Sequence, residues 1–333
     1  MALVPQNDLT KRTTFQKSVA VLKPIPTKIE PRFLYYSLQG ELDRLVSFAG
    51  GTAQKNLLLR DLRAFSVQVP SRSVQNRVVS ILSAYDDLIE NNTRRIRILE
   101  EMAQMIYREW FVNCRFPGRE KVKMVESEMG SIPETWSVDR LGSVAEVNEL
   151  SIKTDDAPEH IIYIDIASVS TASIDKKEPM QFSEAPSRAR RIVRHGDVIW
   201  SSVRPNRRSF ALILSPELHL VVSTGFAVLT AKKVPYSYLY FATTTDSFAD
   251  YLTNHATGAA YPAVNGKDFQ NARLLLPPKP LLDRFHSVVA DMLTIQHNLH
   301  LKNVNLRTTR DLLLPKLISG EVSVENLEAA VVA

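Results

Sequence analysis

A single cysteine, Cys114, among 333 residues excludes an internal disulfide and suits a reducing cytoplasm. Set between Phe111 and Phe116, it reads as a small buried apolar side chain rather than a nucleophile. No stretch approaches the roughly eighteen uninterrupted apolar residues of a bilayer span. The start Met1-Ala2-Leu3-Val4-Pro5 lacks the basic region and apolar run of a secretory leader. A cytoplasmic protein without membrane contact is therefore expected. Chemistry-bearing signatures are missing too: there is no GxGxxG, no Walker loop, no HExxH, no cysteine pair for zinc, and no Asn-Pro-Pro-aromatic or Asp-Pro-Pro-aromatic signature. His297 and His300 stand three apart without a third ligand nearby and read as polar-face residues. The expectation is a chain that is not an enzyme and binds no metal or cofactor itself.

What is present begins with a 44% hydrophobic, 23% charged composition, enough apolar material for a core in two or three domains. The net charge of +5 favours an acidic partner such as nucleic acid. The chain also repeats itself. A shift of 207 residues lays Gly51-Thr52-Ala53 on Gly258-Ala259-Ala260, Arg60-Asp61-Leu62 on Lys267-Asp268-Phe269, and Val69-Pro70 on Leu276-Pro277. Arg77 then falls on Arg284, Asn91 on Asn298 and Leu99 on Leu306. Leu34-Tyr35-Tyr36 matches Leu239-Tyr240-Phe241 with a slip of two. Such an internal period means two copies of one structural unit.

Each copy ends in a long helical pattern. Val78, Leu82, Tyr85, Leu88, Ile96, Leu99, Ala103, Ile106 and Trp110 form an apolar stripe in the first. Phe285, Val289, Met292, Ile295, Leu299, Leu306, Leu313 and Leu317 form the second. This is the seam of a coiled coil. With no Pro or Gly in residues 71–116, the first helix would run from Val74 to Trp110, roughly 55 Å at about 1.5 Å per residue, a spacer rather than an ordinary globular helix. Pro315 and Gly320 are expected to close the second. Antiparallel packing about a dyad near Arg94 and Leu301 pairs positions whose numbers sum to 395: Asn92 meets Asn303, and Ile96 faces Leu299. A buried asparagine pair would fix the register; two solvated asparagines at the seam edge are the alternative.

Between the helices, Pro117-Gly118 and a polar stretch lead to Gly130-Ser131-Ile132-Pro133-Glu134-Thr135-Trp136, turn residues before an apolar anchor, as where a new domain opens. From about 137 to 277, strand-like runs such as Ile161–Ile164, Val198–Trp200 and Phe226–Leu229 alternate with turns and one helical stretch near 236–254. That describes a mixed α/β (α+β) domain. Within it lie Arg188, Arg190, Arg191, Arg194, Arg204, Arg207 and Arg208, opposed locally by Asp197 alone for a balance of +6. Arginine's planar fork bonds phosphate or the O6/N7 edge of guanine bidentately. DNA contact is one reading; the other is a solvated basic face partnered by Asp165, Glu178 or Glu184. A second candidate is Thr257–Asn265, a glycine-bearing loop whose Tyr261 and Asn265 could lie on a backbone or reach a base edge. Its counterpart in the first repeat is Gly51–Asn56, and a purely structural turn would explain it equally well.

In order, the opening Gly130–Trp136, Gly196-Asp197-Val198, Ser223-Thr224-Gly225-Phe226-Ala227, the Gly258–Pro262 loop, a heptad helix and the ending Arg310-Asp311-Leu312-Leu313-Leu314-Pro315-Lys316-Leu317-Ile318-Ser319-Gly320-Glu321-Val322 resemble the specificity subunits of type I restriction-modification enzymes. The resemblance covers nearly the whole chain. It implies α/β recognition domains, each gripping one half of a bipartite double-stranded DNA site, joined by two antiparallel coiled-coil helices. It implies two methyltransferase subunits docked around those helices and restriction (translocase) subunits beyond them. S-adenosylmethionine, ATP and Mg would then sit on the partners. The expected division is a remnant of the first recognition domain at 1–72, a spacer helix at 73–116 and a linker at 117–130. The second recognition domain follows at 131–280, then the second spacer helix at 281–319 and a tail at 320–333. Candidate DNA contacts are Arg188, Arg190, Arg191, Arg204, Arg207, Arg208, Tyr261 and Asn265. Candidate seam residues are Leu82, Tyr85, Asn92, Ile96, Leu99, Val289, Met292, Leu299, Asn303 and Leu306.

One departure from the pattern stands out. Roughly one hundred residues separate Ile132-Pro133 from Leu239, whereas 33 residues precede Leu34. Since Thr14–Leu22 resembles Thr224–Leu229, the first recognition domain is expected to be shortened at its front, with self-association through it as a further option. Rival readings are a cryptic nuclease or methyltransferase, which would show an acidic metal cluster or methyl-donor loop, and a coiled-coil adaptor without salt-dependent DNA affinity.

Overall fold

The computed structural model describes residues 19–49 and 57–324. The loop Gly51–Asn56 and the start of the Thr14–Leu22 segment therefore lie outside the described residues. The chain forms two compact units, residues 1–96 with 298–333 and residues 97–297, and two long helices contribute to both.

In chain order the first unit opens with α1 (Pro31–Gly40), α2 (Leu42–Ser47) and α3 (Leu59–Ala64), followed by α4 (Arg72–Tyr107). Pro31 occupies the first turn of α1, where no backbone donor is needed, and the Glu30 carboxylate accepts from Phe33 N at 2.6 Å. Phe33, Tyr36, Val78, Leu82, Leu314, Leu317 and Ile318 form its core.

The second unit contains β1 (Met124–Ser127), β2 (Gly130–Pro133), β3 (Ser137–Arg140), α5 (Leu141–Val144), β4 (Ala145–Val147) and β5 (His160–Ile164). There follow β6 (Val169–Ser170), β7 (Ser173–Ile174), β8 (Glu178–Gln181), β9 (Ala189–Ile192), β10 (Val198–Ser201), β11 (Phe210–Leu212), β12 (Leu220–Ser223) and β13 (Phe226–Ala231). Three helices, α6 (Tyr236–Ala242), α7 (Asp246–His255) and α8 (Gly266–Asn271), precede β14 (Arg273–Leu276) and the long α9 (Lys279–Ser319). Two four-stranded sheets, ordered β11-β10-β13-β4 and β8-β5-β12-β9, carry the domain; β5 and β12 are the parallel pair. Strand alternation assigns each face. Ile199, Ala211, Phe226 and Val228 of the first sheet meet Ile164, Leu220 and Val222 of the second. The opposite side of the first sheet turns Val198, Trp200, Ala227 and Leu229 toward the helical core. The mixed α/β (α+β) class expected from the sequence is the one observed.

Several local expectations need correction. The stretch near 236–254 is two helices, because Thr243 and Thr244 donate to Leu239 O and Tyr240 O at 2.7 and 2.8 Å and Thr245 caps α7 at Phe248 N. Threonine hydroxyls that bond backward and forward in this way end one helix and start the next. Pro315 does not close α9; the helix continues to Ser319, and Gly320 at φ +76° ends it. The last turn persists through the proline because Leu314, Leu317 and Ile318 are buried on both sides of it. The helical run from Arg72 ends in a π-turn, Arg108–Val112, and Cys114 at φ +53° turns the chain away. Cys114 is buried, and burial pushes its thiol pKa up, the setting of an inert side chain.

The seam also differs in detail. Leu88 and Ile295 are exposed at 54% and 42%, while Ile89 is 8% exposed. Strict alternation of four and three places Ile89 after Tyr85, and Gln296 after Met292; an apolar residue one position early points off the seam. Leu82, Ile96, Val289 and Leu299 are buried, and Tyr85, Leu99, Met292 and Leu306 are half-buried. Within the first unit, Asn92 (9% exposed) donates through Nδ2 to Oδ1 of Asn303 (2%) at 3.0 Å. Asn303 Nδ2 in turn donates to Thr93 Oγ1 at 3.2 Å and Ile89 O at 3.4 Å. The α4 and α9 segments of this unit run antiparallel.

Candidate nucleic-acid interface

The arginines do not form one surface. Arg188, Arg190, Arg191 and Arg194 lie on or beside β9, an edge strand. Arg204, Arg207 and Arg208 lie on the connection from β10 to β11. The first group is largely committed to its own fold. Arg188 donates to Asp165 Oδ2 at 2.9 Å and Tyr163 Oη at 3.2 Å, which raises its pKa further. Arg190 stacks its guanidinium over Phe182, 4.6 Å from the ring centroid. Arg191 donates to Ser151 Oγ at 3.2 Å and is pulled down in pKa by burial. Arg194 pairs with Glu149, a carboxylate also bound by Lys232 at 2.8 Å.

Asp197, the one acid within the cluster, does not neutralise it. It is 2% exposed and accepts from Arg194 N and Thr230 Oγ1, each at 2.7 Å. Burial raises its carboxyl pKa. It pins the turn at Gly196, whose φ of +86° suits glycine and whose added Cβ would sit 2.9 Å from Tyr236 Cβ. The opposing charges are Asp165, Glu149 and Asp246 instead. Of the expected partners, Glu178 pairs with Lys176 rather than with an arginine.

The second group is built differently. Arg204 (φ +52°) and Arg208 (φ +55°) flank a single 3-10 turn, Pro205–Arg207. Left-handed backbone is unfavourable for side chains of this kind and persists where neighbours fix it. Here Arg204 N donates to Pro262 O at 2.7 Å, and Val264 N to Ser202 O at 2.9 Å. Arg208 donates to Thr244 O at 2.8 Å and pairs with Asp246, whose carboxyl is held below its usual range by that bond. Thr171 Oγ1 donates to Arg208 O at 3.0 Å. The turn thus lies against the Thr257–Asn265 loop. The Arg204 guanidinium sits 4.6 Å from the Tyr261 ring centroid and donates to Ala260 O at 3.3 Å. Tyr261 is 69% exposed. Asn265 caps α8, its Oδ1 accepting from Lys267 N at 2.8 Å while its own backbone N–H donates to Asp268 Oδ2 at the same distance. Its carbonyl oxygen is committed to the fold.

Arg204, Arg207, Arg208 and Tyr261 are therefore brought together, whereas Arg188, Arg190 and Arg191 belong to the other sheet. Sequence reasoning missed Glu149 and Asp246, which lie 45 and 38 positions from the arginines they hold. It also missed Asp86, which accepts from Tyr36 Oη and Arg310 Nη1, both at 2.6 Å. Among the described residues no helix is long and apolar enough to cross a membrane, and no group of three His, Cys, Asp or Glu is placed to hold a metal.

Comparison with known proteins gives this geometry its context. The profile of the type I restriction modification DNA specificity domain matches residues 7–101. The type I restriction enzyme MjaIX specificity subunit of Methanocaldococcus jannaschii is 24% identical over 89% of this chain and 70% of its own. The HindI specificity subunit of Haemophilus influenzae is 21% identical over 96% and 83%. In fold, the chain is similar to the type I restriction-modification S subunit of M. genitalium, at TM-score 0.57, 16% identity and coverage of 88% of this chain and 73% of that one. These relatives are named as specificity subunits of type I restriction enzymes, and the matching family is that of a DNA specificity domain. Residues 7–101 match the type I restriction modification DNA specificity domain, and over nearly its whole length the chain is similar to the specificity subunits of type I restriction enzymes.

Proposed function

We propose that residues 131–280 read one half of a split DNA site through the Arg204–Arg208 turn and the adjoining Tyr261 loop. The observation that carries this reading is the braced turn itself: strained backbone, clamped on both sides, holding cationic forks beside an exposed aromatic. Residues 73–116 and 281–319 set the spacing to a second half-site and dock two methyltransferase subunits, with residues 117–130 as linker. Restriction subunits join that assembly, and S-adenosylmethionine, ATP and Mg act on those partners. Exposed apolar side chains on the long helices, among them Met105 (63%) and Val304 (57%), support the docking role.

The test uses the chain co-assembled with its methyltransferase. DNA affinity is expected to fall steeply with salt. The variant R204A/R208A is expected to weaken DNA binding while assembly with the methyltransferase stays intact. Unchanged binding in that variant overturns the site. Mapping the methylated positions in the host genome then reports the site recognised.

A further inference from the structure

Of the seven arginines, six are engaged: Arg188 by Asp165 and Tyr163, Arg190 by Phe182, Arg191 by Ser151, Arg194 by Glu149, Arg204 by Tyr261 and Ala260, Arg208 by Asp246 and Thr244. Arg207 is the exception. Its backbone N–H donates to Arg204 O at 2.9 Å, but its exposed guanidinium has no hydrogen bond or ion pair among the described residues. It stands at the tip of the turn, after buried Pro205 and exposed Asn206.

We propose that Arg207 is the base-reading residue of this domain, its fork bonding O6 and N7 of one guanine in the major groove, while Arg204 and Arg208 position it. The inference rests on the DNA-reading role proposed above. Two requirements separate a base from a phosphate as the target. A phosphate contact needs charge near the backbone, which a long flexible side chain on any surface supplies. A bidentate base contact needs the fork placed in a fixed plane, so the backbone beneath it must be rigid. The turn under Arg207 is rigid for that reason: both of its ends are left-handed, and each end is tied to a different neighbour, Pro262 O on one side and Thr244 O with Asp246 on the other. The free fork is carried on a backbone that is held at both ends.

The decisive comparison is R207A and R207K against the unaltered chain, each in the complete methyltransferase complex, with methylated sites mapped genome-wide and binding measured across salt. R207A is expected to make one guanine position of the recognised sequence degenerate and to weaken cognate binding about fivefold to a hundredfold. Non-cognate affinity and the salt slope stay as they were. R207K is expected to relax the same position, because an ammonium cannot form the fork. Equal loss on cognate and non-cognate DNA, with a shallower salt slope and an unchanged recognised sequence, identifies a phosphate contact and overturns the proposal. An unchanged R207A overturns it too, and R204A/R208A then separates the two claims. If that double variant loses DNA binding, the turn binds DNA without Arg207; if it also binds normally, the proposed DNA face itself is wrong.

Discussion

The two repeats place side chains at matching positions and hold their long helices together by different chemistry. In the first unit, Asp86 joins Tyr36 and Arg310. Shifted by the repeat offset, with the slip of two for Tyr36, these positions become Phe241, Leu293 and Ala103 in the second unit. All three are buried there in an apolar core with Phe111 and Phe285. The same holds nearer the middle: Asn92 and Asn303 hydrogen-bond to each other, and their counterparts Leu299 and Ile96 are both buried. The helical period is thus shared, and the choice between polar network and apolar packing is made locally. A satisfied polar network specifies which partner it accepts, whereas apolar packing tolerates many partners of suitable volume.

The largest effect that would break the comparison is expected at Phe285, fully buried among Tyr107, Trp110 and Phe111. Phe285→Ala should destabilise the second unit by about 3–5 kcal/mol, read as a shift of the urea midpoint. Next comes Asp86→Ala, which strands the Tyr36 hydroxyl and leaves the Arg310 guanidinium to Asp311 alone. Because the site is only partly buried, a loss of about 1–3 kcal/mol is expected. Converting the whole trio to its counterparts, Tyr36→Phe with Asp86→Leu and Arg310→Ala, should recover most of that loss. A triple variant no more stable than Asp86→Ala would show that the two ends are not interchangeable.

Asn92→Leu alone should cost about 1–3 kcal/mol by leaving the buried Asn303 Oδ1 without its donor. Asn92→Leu with Asn303→Ile should restore thermal stability and yet let the helices slip, detected by cysteine cross-links across the seam that no longer favour one pairing. The smallest effect concerns acid. Bonds from Arg115 and Asn113 hold the Glu109 carboxyl down at about 2, against an ordinary 4.5. A depressed carboxylate contributes stability above its ordinary value and loses it as pH falls toward the depressed one. Glu109→Gln should therefore flatten the stability profile between about pH 4.5 and 2, and an unchanged acid limb would remove Glu109 from the account.

These contrasts also mark how far the sequence can be read. The repeat, the two long helices and the pairing of Asn92 with Asn303 follow from spacing, because a helix converts sequence distance into a face. Leu88 and Ile295 misled because hydrophobicity alone does not choose between neighbouring positions; only the strict alternation does. The arginine cluster was visible as composition, but its division between two sheets was not. Asp165 was among the partners expected, but Glu149 and Asp246 reach the arginines through tertiary contacts that no local period encodes. Asp86 was hidden likewise, since its role needs Tyr36 and Arg310 brought from both ends of the chain.

The turn at Arg204–Arg208 has a consequence for how such a protein changes over generations. Its shape is held by main-chain atoms and by the residues at its two ends, and neither Asn206 nor Arg207 contributes a side-chain bond to it among the described residues. The two tip positions can therefore be exchanged without altering the fold beneath them. Under the proposed reading role, a lineage carrying this scaffold could revise the recognised bases by point mutation at the tip, with no change to the packing of the long helices.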